Sequence, residues 1–415
     1  MKPHNFEEKV IWYSLIGTYV LFLLGAQYVY IPALAWFLGL YVCKKLWNQT
    51  KDTPAEEKIV IPLSVWVWLI SVIIMEFGLI IAHIDFELGL FKTIASTVNW
   101  AKRWALWALF PLIGCLNIRP TLLSRAVCIL CLQSLIAIPI TYFLIAIRLP
   151  EDLFVSPLKV FGGGPIYYAL SFYSVDEDTN QIRLALFAPW APALGVVSNV
   201  YFFIVREELN RKWRLIGIIG CVAMTLLSVS RAAILGLITI PLITLFLSSF
   251  SKPIVHFFNG VLSFFFGIFA VTIINLLETF GKELNNARAS SSKVRKILAD
   301  IAIYRWRTEA PIWGHGATEE KGPEIVASMP IGSHSTWAGL LYIQGLVGFI
   351  TFVFPLLWSF VALLVKAQKS KIAQAALSIL LIILLFTSSE SVGDLAYMFW
   401  PGLIMIGIAF KEKIE

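Results

Sequence analysis

The sequence predicts an all-α polytopic membrane protein, and three observations carry that prediction. Hydrophobic residues make up 58% of the 415-residue chain and charged residues only 14%. Mean hydropathy is +0.79. The apolar residues also gather in runs of crossing length, separated by short basic loops. A chain of this composition lacks the polar surface of a water-soluble globule. A hydrocarbon core about 30 Å thick takes about 20 helical residues per crossing, and a segment in lipid must satisfy its own backbone hydrogen bonds, so helices are the default.

About twelve crossings are expected. In the first half they fall at roughly 10–26, 27–43, 60–82, 96–117, 124–147 and 186–205. In the second half they fall at roughly 215–231, 232–250, 254–279, 337–365, 372–388 and 392–410. The fourth is the least regular, because Lys102 and Arg103 of "NWAKRWALWALF" sit inside it or at its mouth. The whole chain, 1–415, reads as one integral membrane domain without repeats or low-complexity tracts.

Basic residues of short loops resist translocation, so their positions set the orientation. Lys44, Lys45, Lys51, Lys58, Arg119, Arg125, Arg206, Arg211, Lys212, Arg214, Lys252, Lys366, Lys369, Lys371, Lys411 and Lys413 all fall on the side of the N-terminus. Both termini are therefore expected in the cytoplasm, with no removable signal peptide. The net charge of +7 partly reflects these loops and requires no nucleic-acid partner. The five cysteines lie in or beside apolar runs, where buried thiols are expected; "CILC" at 128–131 lacks the second pair that a metal site would need.

Two segments on the opposite side, 148–185 and 280–336, are long enough to cap an active site. The first holds a triple glycine at 162–164 and one cation, Arg183, before it re-enters the membrane through Pro189 and Pro192. The second holds Val294, Ile297, Leu298, Ile301 and Tyr304 at helical spacing, an amphipathic helix expected to lie along the interface. Arg288, Lys293, Arg295, Lys296 and Arg307 make it cationic on the side where basic residues are disfavoured, which calls for an anionic partner.

Arg231 interrupts apolar sequence on both sides in "LLSVSRAAILGL". It reads either as a snorkelling charge or as an anion clamp at the outer mouth of a helix hairpin, since a guanidinium fork matches phosphate oxygens. Arg183 reads either as a second clamp or as a salt bridge to "DED" at 176–178, and Arg295 as a third clamp with Lys293, Lys296 and Arg288 as its rivals. His334 titrates near neutral pH and can take a proton, although a histidine at a helix start is often only structural. His315 of "WGHG" lies in the same segment and is the competing base.

These residues resemble the bacterial O-antigen ligase and polymerase superfamily, which handles undecaprenyl-diphosphate-linked glycans. The likeness rests on "HSTWAGLLYIQGLVG" with its histidine and the later Gly345 and Gly348, on "SVSRAAILGL", on "VRKILADIAIYRWRTEAPIWGHG", and on "RLALFAPWAPALG". In the last of these Trp190 stands where an asparagine often follows the proline. The resemblance implies a fold of the glycosyltransferase C type, with His334 activating the acceptor hydroxyl and Arg231 and Arg295, joined by Arg183, binding the donor diphosphate. It implies inverting transfer of the glycan to the lipid A core at the periplasmic face of the bacterial inner membrane. The outer side offers no acidic cluster with metal-ligand spacing, so transfer without a metal or other cofactor is expected. Membrane lipid is the surrounding partner, and no obligate protein partner is expected. A polymerase that joins lipid-linked repeat units would need the same groups. A transporter or flippase of an anionic substrate would instead call for paired broken helices, which the sequence lacks.

Overall fold

The computed structural model describes residues 1–54, 58–176, 179–250, 289–319, 322, 329–332 and 335–413, with scattered positions between 257 and 275. The first half carries α1 (Phe6–Ile16), α2 (Thr18–Leu23), α3 (Gln27–Trp47), α4 (Leu63–Asp85), α5 (Leu90–Lys102), α6 (Leu106–Gly114) and α7 (Pro120–Ala146). The second half carries α8 (Ala191–Val205), α9 (Arg211–Leu227), α10 (Arg231–Leu247), α11 (Ala289–Glu309), α12 (Thr336–Ala367), α13 (Lys371–Phe386), α14 (Val392–Leu395) and α15 (Trp400–Lys411). Among the described residues, α3, α4, α7 and α12 are long and apolar enough to cross a membrane, and α8, α10, α13 and α15 are shorter apolar helices. This is a helical, multi-pass membrane protein.

Several of the expected crossings are broken, those at 392–410 and 337–365 by the division into α14 and α15 and by Gly345 within α12, and two in the first half. The first divides at Gly17 into α1 and α2, and Gly25, at φ 60°, ends the second piece. The fourth divides at Arg103: α5 has no buried residue, whereas every residue of α6 is buried. The physical reason is charge, because Arg103 turns out of the apolar run to pair with Asp394 just after α14's first residues. Of the expected crossing at 254–279, the described positions, among them 263, 264, 267, 268, 270 and 271, are helical apart from a turn at 269, and the rest lie outside the described residues.

Apolar on all sides, α6, α8 and α15 form the centre of the bundle. Close approach of α6 and α15 depends on glycine: a Cβ on Gly114 would meet the Ile404 carbonyl at 2.6 Å. Large apolar side chains on the outward faces of α3, α4, α7 and α12, among them Leu40, Phe77, Phe143 and Leu357, are exposed. In a membrane protein that is the surface lipid covers. Four cysteines are buried as expected, whereas Cys43 is exposed on α3, and all five are free thiols.

One end of the bundle is tied by basic residues of the retained loops. Lys45 pairs with Glu7 at 2.8 Å, Arg119 with Glu8 at 2.6 Å, and Arg125 with Glu208 at 2.8 Å. Lys366 donates to the carbonyls of Ala409, Phe410 and Glu412, and Lys411 to that of Leu116.

The segment 148–185 builds short antiparallel ladders. Strand β1 (Asp152–Val155) pairs with β2 (Ala169–Ser171), and β3 (Tyr173–Val175) pairs with β4 (Ile182–Leu184). Its triple glycine runs at φ 81°, 101° and 93°, and a Cβ on Gly163 would collide with the ring of Tyr28. The amphipathic helix expected in 280–336 is α11. It buries Leu298 and Ala302 against Ala338 and Tyr342 of α12, with Val294, Ile297 and Ile301 partly buried beside them. Tyr304 falls off that stripe and is exposed.

Candidate active site

The geometry begins with a break in α12. Gly345 sits at φ 62° and ψ −161°, outside helical space. The backbone groups freed there are taken up by the loop that follows α11. The amides of His315 and Gly316 donate to the carbonyls of Tyr342 and Ile343 at 2.8 Å each, while those of Leu346 and Val347 donate to Pro311 and Ile312 at 3.0 and 3.1 Å. An interrupted helix within a membrane protein persists only when other protein groups satisfy its polar backbone, and this loop does so. A Cβ on Gly345 would collide with the Ile312 carbonyl, and one on Gly314 with the Gly345 amide. Gly314 and Gly345 are therefore required by a backbone-to-backbone contact. Gly348 faces Gln344 of its own helix.

His315 is held within that junction. Its Nδ1 lies 3.1 Å from the Tyr342 carbonyl, its Nε2 lies 2.8 Å from Glu309 Oε2, and its ring stacks on Tyr342 at 4.3 Å. Both ring nitrogens thus already face protein oxygens. Arg305 closes the junction by bonding Glu309 and Glu319 and lying over the Tyr342 ring.

The outer half of α12 starts at Thr336, capped by Ser335. Thr336 Oγ1 donates to the Glu390 carbonyl at 2.6 Å and accepts from the Val392 amide at 3.0 Å. Glu390 itself is the hub of the cationic groups. Arg295 of α11 donates to the Ser389 carbonyl at 3.1 Å and places its other nitrogen 3.9 Å from Glu390 Oε1. Trp190, at the head of α8, donates to Glu390 Oε2 at 3.1 Å. Burial pushes the Glu390 carboxyl above the usual carboxylate range, opposed by the charge of Arg295, the Trp190 bond and the charge of Arg183.

Arg295 thus comes within 3.9 Å of the Glu390 carboxylate, and the charge of Arg183 also acts on it. Arg183, on β4, also pairs with Asp176 at 2.8 Å, so the loop salt bridge anticipated for it is present. Arg231 opens α10, exposed, after a tight turn in which Val229 takes φ 51°. Left-handed backbone at a β-branched residue is costly, and it is kept here by packing. The turn seats on α8, where a Cβ on Gly195 would meet Ser230 at 2.9 Å and Ala233 at 2.8 Å. That contact puts Arg231 beside the first turns of the helix whose head holds Glu390. His334 and Arg288 lie outside the described residues.

A cavity of about 160 Å³ opens beside the start of α12, walled by Gly332, Ser335, Thr336 and Gln344 on one side, by α5 and Arg103 on the other, and by Ser391 next to Glu390. The residues on either side of 333–334 in the sequence thus line it. Sequence reasoning missed Glu390 and Asp394, and treated Arg103 only as an irregularity of a crossing. The available signal was two acids four residues apart in the otherwise largely apolar "ESVGDLAYMFW", an expensive placement that normally marks a partnered or functional charge.

A helical membrane bundle in which Arg295 approaches a buried acid beside a polar cavity is the class defined so far. The O-antigen ligase family model matches residues 215–353. The match runs from α9 past the Gly345 break, takes in Arg231, Arg288, Arg295, His315 and His334, and places this segment in the O-antigen ligase superfamily, supporting an enzyme that transfers or polymerises lipid-linked glycans. Arg183 lies outside the matched residues. No curated protein matches the chain.

Proposed function

We propose that the protein is an O-antigen ligase that transfers a glycan from undecaprenyl diphosphate to the lipid A core, at the periplasmic face of the bacterial inner membrane. The observation that carries this reading is the family match over a segment whose arginine, Arg295, meets Glu390 next to the cavity flanked by residues 332 and 335. Lys45, Arg119, Lys366 and Lys411 meet at the opposite end of the bundle, which supports cytoplasmic termini.

In the proposed reaction an acceptor sugar hydroxyl attacks the anomeric carbon of the donor. The new glycosidic bond forms as the bond to the diphosphate oxygen breaks, and that oxygen leaves with the electron pair. His334 takes the hydroxyl proton, and displacement from the opposite face inverts the anomeric centre. The diphosphate is a weak base and needs charge more than a proton. Arg231, Arg295 and Arg183 supply it, with Arg295 exchanging its 3.9 Å contact for phosphate oxygens.

Purified protein mixed with lipid-linked donor and lipid A core acceptor tests the reading, with transferred glycan measured in the absence of nucleotide and ion gradient. Deleting the gene identifies the acceptor. Lipid A core devoid of glycan fits the ligase, whereas core bearing a single repeat would replace it with a polymerase.

A further inference from the structure

The cavity between α5 and the outer half of α12 holds a second layer of information. Of the buried polar atoms that find no hydrogen-bond partner among the described residues, three belong to residues lining this one cavity: Trp100 Nε1, Arg103 Nε and Gln344 Oε1. Gln344 is 3% exposed. An unmet buried polar atom costs about 1–3 kcal/mol, so three around one space must be met by bound water or by a ligand that displaces it.

The chemistry of that ligand can be read from the wall. Arg103 is neutralised by Asp394, so the cavity has no net cationic demand from this residue and does not ask for a second phosphate. Trp100 and Arg103 provide N–H donors, and Gln344 provides a carbonyl acceptor. Ser335 and Asn99 add groups that both donate and accept, and Trp104 adds an aromatic surface. Alternating donors and acceptors with indole faces match a ring that carries hydroxyls around its edge and C–H groups on its faces. At about 160 Å³ the space is smaller than the roughly 300–1,000 Å³ of pockets for drug-sized ligands, which limits it to a single ring.

We infer that this cavity is a subsite for one neutral hexose ring of a glycan substrate, with Trp100, Arg103 and Gln344 as its specificity-determining contacts. The inference rests on the glycan-transfer reading above. The same ring chemistry is presented by the first sugar of the donor and by the terminal sugar of the acceptor.

Equilibrium binding on the full-length protein tests it, with Gln344→Met, which keeps length and removes the side-chain amide, and Trp100→Phe, which keeps an aromatic ring and removes the indole N–H, as variants. Three probes are used: undecaprenyl diphosphate without sugar, the lipid-linked glycan, and lipid A core. Each variant is expected to weaken one of the two glycolipids about 5-fold, to leave sugar-free undecaprenyl diphosphate unchanged, and to leave the melting temperature of the free protein unchanged or higher. Loss confined to the lipid-linked glycan assigns the ring to the donor, and loss confined to lipid A core assigns it to the acceptor. Unchanged binding of both glycolipids overturns the subsite, as does parallel weakening of all three probes. Failure of transfer by the wild-type protein with glycolipid binding intact would instead overturn the reaction and leave the subsite standing.

Discussion

Two buried carboxylates at opposite ends of the bundle face arginine on very different terms. Glu8, 1% exposed, receives Arg119 through Nε at 2.7 Å and Nη2 at 2.6 Å, with the Arg119 amide at 3.1 Å. Glu390, 8% exposed, has Arg295 at 3.9 Å. Burial pushes both carboxyls up, but at Glu8 the Arg119 side chain, the amides of His4 and Arg119 and the arginine charge reverse the shift and bring it below 4.5, whereas Glu390 remains raised. Burial alone does not decide the state of a carboxylate; the completeness of its partners does. The complete pair fastens the fold, and the incomplete one leaves an arginine able to change partner.

His334→Ala should have the largest effect at the incomplete end, lowering transfer about 10²- to 10⁴-fold in a purified assay while the protein still inserts. Near-normal turnover would remove the base from the site. Arg231→Lys and Arg295→Ala should each lower kcat/KM for the donor about 10- to 100-fold, since a point charge or none cannot reproduce the guanidinium fork. If Arg288→Ala proves worse than Arg295→Ala, the clamp on this segment belongs to Arg288.

At the complete end the comparison predicts stability without chemistry. Arg119→Ala strands a buried carboxylate and should cost about 2 kcal/mol of stability, reduced from the fully buried case because a third of the Arg119 side chain is exposed, with turnover per folded molecule unchanged. Impaired turnover in the folded fraction would show that the two ends are coupled. The smallest effect is in pH. The folded carboxyl of Glu390 lies above its unfolded value, so its contribution favours the fold at low pH and declines as pH rises from about 4.5 through the raised value. Glu8 behaves oppositely, stabilising above about 4.5 and losing that contribution as pH falls through its lowered folded value. Thermal melts across this range should show the decline above 4.5 removed in Glu390→Gln and unaltered in Glu8→Gln.

What the sequence made legible follows its strongest physical signals. Helices α3, α4, α7 and α12 were readable because a long apolar run has few other folds in lipid. The buried stripe of α11 was readable from its spacing, apart from Tyr304, which lies beyond the width that α12 covers. The hairpin that presents Arg231 was anticipated from one charge between two apolar runs. The break at Gly345 was not, because a glycine in an apolar run reads equally as a packing surface, and only the loop inserted at residues 311–316 distinguishes the two. Nor could spacing reveal the partners of His315, Tyr342 and Glu309, which are set by tertiary contact. Arg103 and Asp394 lie far apart in the chain, and their pairing is a property of the fold.

The backbone exchange at Gly345 has a mechanical consequence for α12. The loop at 311–316 is bonded to Tyr342 and Ile343 before the glycine and to Leu346 and Val347 after it, while the outer residues pack under α11. It therefore acts as a splint laid across the break, holding both halves of α12 in one alignment. A substrate seated on Arg295 of α11 would then press against a stub braced from the bundle side, so that the residues next to His334 keep their place.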